Sequence, residues 1–226
     1  MIAVMKLEEP AAEADPAEAG TRRARREKRR LEAFSDGVFA IAVTLLVLEI
    51  KVPALADLPS GSLGLALLRQ WPSYFAYLLS FSVILIMGVN HHVLLDLVRE
   101  VDHGFLYLNG LLLMVITLLP FPTALVAQYG EDPRNGHLAA AVYCGLCVLI
   151  ALFFNAVWWY AAVRGRLLHE GVAGAGGAVT RRYMFGPLLY LLALGVAFIS
   201  VPGALLVCGG LALYFAWPYR PPGSPS

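Results

Sequence analysis

The sequence predicts an all-α, polytopic membrane protein with six transmembrane helices per subunit. Three observations carry this. The chain of 226 residues is 59% hydrophobic and only 15% charged, with a mean hydropathy of +0.68, far from the composition of a soluble domain. Its apolar residues fall in blocks of spanning length separated by short charged loops, which favours helices over the weak two-residue alternation of an outer-membrane barrel. Its basic residues crowd to one side of any six-pass arrangement, as the positive-inside rule requires.

Taken in order, residues 1–29 read as a disordered, basic cytoplasmic tail. An Ala/Glu/Pro-rich stretch leads into the block TRRARREKRR, a run of like charge. Residues 30–219 then hold six spanning segments: Phe34–Val52, Trp71–His91, Gly104–Gln128, His137–Tyr160, Tyr183–Ser200 and Gly203–Trp217. The last two are short, and Val201-Pro202-Gly203 between them reads as a tight turn. Residues 220–226 form a short C-terminal tail. With the N-terminus inside, 14 of the 17 Lys and Arg lie on the inner side and only Lys51, Arg69 and Arg134 on the outer. Both termini are therefore expected in the cytoplasm, and the protein in the cell membrane.

Several motifs have ordinary readings. The Gly-rich run Gly171–Gly177 lacks the GK[ST] ending of a phosphate loop and reads as a flexible linker. Cys144 and Cys147 lie one turn apart in an apolar block, with no second pair, and read as small packing residues rather than a metal or redox site. The basic run Arg22–Arg30 could meet anionic lipid or nucleic acid, but an orienting signal beside the first span explains it with no partner. Neither a cofactor, an enzymatic centre nor a nucleic-acid partner is expected.

The first span, RLEAFSDGVFAIAVTLLVLEI, is the informative one. Its uninterrupted apolar part, Gly37–Leu48, has 12 residues, whereas a lone spanning helix needs about 20, so Asp36 must be drawn toward the hydrocarbon. A carboxylate at that depth must face other helices or water. Ser35 and Asp36 could cap the helix. They could instead join a buried polar cluster with Arg30, Asn90 and His91, since Asn109 and Asn155 fall at the same level. A titrating His–Asp pair there could serve as a pH sensor, and spacing alone leaves open whether His91 or His92 faces inward.

At about 100° per residue, Ile41, Thr44, Leu45 and Leu48 share an arc of about 100°, while Asp36 falls about 140° from Ile41. The stripe is either ordinary lipid-facing or packing surface, or an apolar constriction about 10 Å long around a symmetry axis, of the kind that gates by dewetting.

Arg30-xxx-Phe34-Ser35-Asp36 resembles the RxxxFSD signature of the transmembrane protein 175 family, lysosomal potassium channels and their prokaryotic relatives. The triplet Asn90-His91-His92 and the segment LYLNGLLLMVITLLPFPTALVAQYG are similar to the same family. The resemblance implies a homotetramer in the lipid bilayer, with the first helix of each subunit lining a central pore for potassium and other monovalent cations. It places the gate and constriction at Ile41, Leu45 and Leu48, and potassium preference at Thr44. It assigns Arg30, Phe34, Ser35 and Asp36, with Asn90 and His91, to a structural polar network. The competing expectation is a proton- or cation-coupled secondary transporter that uses Asp36 and His91. A third is a nonconducting assembly protein, in which the stripe only packs.

Overall fold

The computed structural model describes residues 16–54, 62–163, 167–169 and 172–217. Among these, every regular element is helical, apart from one isolated antiparallel bridge between Val98 and Leu168. The helices are α1 (Pro16–Leu45), α2 (Leu63–Arg69), α3 (Trp71–Leu97), α4 (His103–Ile116), α5 (Pro120–Tyr129), α6 (Gly136–Val163), α7 (Val172–Ala197) and α8 (Val201–Ala216), with a 3-10 turn, Leu46–Glu49, closing α1. Four stretches are long and apolar enough to cross a membrane: Gly20–Glu49, Trp71–Leu97, His103–Tyr129 and Gly136–Val163. Two shorter apolar helices, Met184–Ala197 and Val201–Ala216, follow.

The sequence expectations need four corrections. First, the basic run is helical from Pro16, not disordered. It contains no Gly or Pro after Gly20, it extends a helix already nucleated by its apolar half, and Arg23–Glu27 (3.1 Å) and Lys28–Glu32 (3.6 Å) pair at i,i+4. Second, the third span is two helices, because Pro120 lacks an N–H and its ring would clash with the carbonyl four residues earlier; α4 ends at Ile116. The Thr117 hydroxyl donates to the Met114 carbonyl (2.7 Å) and that of Thr123 to the Leu119 carbonyl (2.8 Å) around this break. Third, residues 172–177 of the Gly-rich run are the first turns of α7 rather than a linker, since lengthening an existing helix requires only propagation. Fourth, the turn between the last two helices precedes Val201. Ser200 caps α8 by accepting from the Gly203 N–H (3.2 Å), and Pro202 sits in the first turn, where no donor is missed. Residues 1–15 of the N-terminal tail and the tail 220–226 lie outside the described residues, as do the side chains of Lys6, Arg164, Arg166, Arg181, Arg182 and Arg220.

α6 is the central helix, packing against α4, α5, α7 and α8, while α3 packs against α1, α5 and α8. Trp158 and Tyr143 on α6, Phe105 on α4, and Ile84 and Leu94 on α3 are among the largest fully buried side chains of the bundle. Polar clamps join the helices inside this apolar bundle. Ser80 on α3 meets Thr123 on α5 (2.7 Å) and donates to Tyr143 on α6 (3.2 Å). Asp102 caps α4 through the Phe105 N–H (2.9 Å) and accepts from the Tyr160 hydroxyl (3.1 Å); Gly104 is required there because a Cβ would overlap the Tyr160 hydroxyl. All three cysteines are buried and reduced, and the structure adds what spacing could not: Cys208 on α8 lies 3.5 Å from Cys144.

Candidate functional site: the two faces of α1

α1 is the least covered of the four long apolar stretches: 28% of its apolar window is buried, against 39% to 50% for the others. It leans mainly on α3 and α4, and its residues divide into two faces. Leu31, Ser35, Phe39, Ala42 and Leu46 are buried, spaced by three or four residues, and form one packed face. The opposite face is open. Phe34 is 62% exposed, Ile41 58%, Leu45 40% and Leu48 61%, and Thr44 is exposed beside them. The Thr44 hydroxyl donates to the Ile41 carbonyl (2.9 Å), so its oxygen remains as an acceptor on that open face.

The packed face is fixed by a chain of hydrogen bonds. His91 Nε2 on α3 meets Asn109 Oδ1 on α4 (2.7 Å), and Asn109 Nδ2 donates to Ser35 Oγ on α1 (3.2 Å). Ser35, His91 and Asn109 are all buried, and a buried polar group without a partner is costly, so the three set the height and rotation of α1 against its neighbours. The His91 ring also lies against Phe39 (5.3 Å between centroids) and Phe154 (6.2 Å), which holds its plane. The structure thereby decides between the adjacent histidines: His91 is inside and His92 is exposed.

Only part of the expected polar cluster is brought together. Ser35 and His91 belong to it. Asn90, one residue away, points elsewhere and donates to the Ile86 and Phe215 carbonyls (2.8 and 3.1 Å), tying α3 to α8. Asn155 donates to its own helix at Ala151 (2.9 Å). Arg30, Phe34 and Asp36 are exposed on the single chain and stand outside this network, because Phe34 and Asp36 are each turned about 100° from Ser35 on the helix and Arg30 about 140°. Asn109 is the hub that sequence reasoning placed only at the right level. Its signal is a polar side chain in an otherwise apolar span, two residues before a run of leucines.

Among the described residues the two faces of α1 bring no nucleophile beside a base. The arrangement offers a helix locked on one side and bare on the other, with large aliphatic residues on the bare side.

Comparison with known proteins agrees with this architecture. A family model described as endosomal/lysosomal potassium channel TMEM175 matches residues 30–120. The chain is 52% identical over 191 residues to a protein named a potassium channel from Chamaesiphon minutus, covering 84% of this chain and 94% of that one. It is 48% identical over 206 residues to a protein named a potassium channel from Streptomyces collinus, covering 88% and 99%. Among solved structures, that of a lysosomal potassium-selective channel TMEM175 homolog from Chamaesiphon minutus superposes with a TM-score of 0.77 at 50% identity, over 84% of this chain and 97% of that one.

Proposed function

The chain belongs to the TMEM175 potassium channel family, and from that premise we propose that it is the pore-forming subunit of a potassium-permeable cation channel, assembled as a homotetramer in the cell membrane with both termini in the cytoplasm. It is not an enzyme. The observation that supports the pore most directly is the open face of α1, the least covered span, where Ile41, Thr44, Leu45 and Leu48 await other surfaces.

In this reading four copies of that face surround an axis. Conduction is passive, and the aliphatic side chains of Ile41, Leu45 and Leu48 gate it by excluding water from the narrowest stretch. Thr44 supplies the polar oxygen within the constriction. The Ser35–Asn109–His91 chain keeps α1 from rotating its packed face toward the axis. Potassium is the permeant ion, and no cofactor takes part.

A coupled transporter needs Asp36 and His91 to act as a pair. His91 is already committed to Asn109, and Asp36 lies on the exposed side, so the geometry gives that reading little support. The test is potassium and sodium flux into liposomes holding the purified protein, with and without a proton gradient. A channel passes potassium down its gradient whether or not protons move, and Asp36→Asn keeps the wild-type flux in whatever oligomer still assembles. Flux that demands a proton gradient and disappears in an intact Asp36→Asn oligomer would make the protein a carrier.

A further inference from the structure

Away from α1, the spans α3, α6, α7 and α8 enclose a cavity of about 60 Å³. Small residues keep it open. Ala151, Gly186 and Ala212 stand in its wall, and a Cβ built on Gly186 would meet only the Phe215 ring (3.5 Å) and the Ala151 methyl (3.9 Å), both ordinary contacts. The lining carries no charged side chain, and its polar members are Asn90, Asn155 and Tyr190. The two asparagines donate to backbone carbonyls. Tyr190 is different. It is only 5% exposed, yet its hydroxyl makes no hydrogen bond among the described residues, whereas the hydroxyls of Tyr143 and Tyr160 are bonded to Ser80 and Asp102.

We propose that this cavity is a binding site for a small, uncharged amphiphile, in its simplest form an alkanol, whose oxygen bonds the Tyr190 hydroxyl while its chain lies along the apolar walls. The ligand arrives through the hydrocarbon of the membrane. Its site lies behind the anchor of α1, because the Phe154 ring that lines the cavity also lies against His91 (6.2 Å between centroids), and His91 holds Asn109 and through it Ser35. The site is a property of one subunit and does not depend on what the Ile41 stripe borders.

The ligand class follows from charge, size and depth. A buried hydroxyl without a partner forfeits the hydrogen bonds it makes in water, so a ligand oxygen that supplies one is preferred over plain hydrocarbon. A charged ligand would be stripped of water with no opposite charge in the lining to compensate it. An apolar cavity of about 150 Å³ holds benzene, and this one is less than half that size, so a narrow unbranched chain fits better than a ring. The acyl chains of the bilayer fit the walls but not the hydroxyl. Tyr190 stands in the middle of the apolar stretch Met184–Ala197, a depth at which a phospholipid offers only hydrocarbon, its ester oxygens lying about 15 Å away at the interface.

The probe is a photoactivatable octanol with a diazirine on its chain, crosslinked to the purified full chain in phosphatidylcholine nanodiscs and mapped by peptide mass spectrometry. Label is expected on the cavity walls, at Met87, Phe154 or Tyr190, reduced about tenfold by excess 1-octanol and untouched by n-octane, which has the chain without the oxygen. Tyr190→Phe keeps the ring and removes the hydroxyl, and should cut the labelling about fivefold at unchanged oligomer mass; Gly186→Leu fills the cavity and should abolish it. Added at about five times its dissociation constant, 1-octanol should raise the wild-type thermal midpoint by about 2–4 °C and that of Tyr190→Phe by less than half as much. Equal protection by octane overturns the proposal and gives the cavity to the lipid's own chains. Labelling unchanged in Tyr190→Phe overturns it too and leaves the hydroxyl to ordered water. So does label spread over exposed side chains such as Leu85 and Leu188 with none in the cavity. Potassium flux enters none of these readouts, so their failure leaves the channel reading intact, and a chain that carries no flux leaves this site standing.

Discussion

The two faces of α1 are built from one apolar sequence and meet opposite conditions. On the packed face Ser35, Ala42 and Leu46 are fully buried between α1 and its neighbours, with Leu31 and Phe39 nearly so. On the open face Ile41, Leu45 and Leu48 are large, aliphatic and 40% to 61% exposed. The difference teaches that hydrophobicity alone does not say where a membrane helix is buried. Lipid tails are as apolar as leucine, so helix contacts are chosen by close packing and by hydrogen bonds that must be made. A change on the packed face should therefore cost folding. A change on the open face should leave folding alone and alter conduction.

The largest expected effect falls on the packed face. Asn109→Leu strands His91 Nε2 and Ser35 Oγ in the interior, at about 1–3 kcal/mol for each group left unpaired, and should lower the thermal midpoint steeply and diminish the oligomer recovered by gel filtration. A variant of unchanged midpoint would mean that the chain does not position α1. Next comes the adjacent pair Ala42→Phe and Ile41→Phe. Overpacking costs about 1–3 kcal/mol in a closed core, so the first should unfold or aggregate, whereas the second should assemble normally and conduct less through a narrower constriction. Equal stability losses in the two would erase the distinction between the faces. A smaller effect is expected of Thr44→Ala, which removes the hydroxyl donated to the Ile41 carbonyl on an exposed face: stability within about 0.5 kcal/mol, and a potassium-to-sodium flux ratio altered by a few-fold.

The smallest effect lies outside both faces, at His169. Burial first, then Lys28 and Arg99, holds its pKa below the ordinary 6.5. The unfolded chain therefore takes up the proton at higher pH than the folded one. Stability is undiminished above about pH 6.5 and declines as pH falls from there toward the folded pKa. Because His169 is exposed, the decline should amount to a degree or so in thermal midpoint, and His169→Gln should flatten it.

Much of this was legible before any coordinates. The apolar blocks placed the long helices, since a span must satisfy its backbone internally and so must be helical. The wheel separated Asp36 from Ile41 because helical spacing is regular. What remained hidden has a common cause: partners distant in sequence. Asn109 and Ser35 are 74 positions apart, and Asn90 reaches Phe215 across 125, so neither choice of partner could be read from local spacing. The helical basic run departs from expectation for another reason. A block of like charge suggested disorder, while the i,i+4 carboxylates at Glu27 and Glu32 and the attached apolar helix supported continuation. The break at Pro120 is marked in the sequence by the proline itself, although the apolar pattern runs continuously across it.

The central claim is that the open face of α1 borders water at a pore and not lipid. Leu85 on α3 supplies the control, being 54% exposed against 58% for Ile41 and lying away from the stripe. Potassium flux should be measured in liposomes for Ile41→Asn and Leu85→Asn, each checked for oligomer mass. A pore predicts that Ile41→Asn wets the constriction and raises flux roughly tenfold, equivalent to about 1.4 kcal/mol off the barrier, while Leu85→Asn leaves it unchanged. Flux that is the same in both variants and in wild type would contradict the account and return the stripe to the lipid.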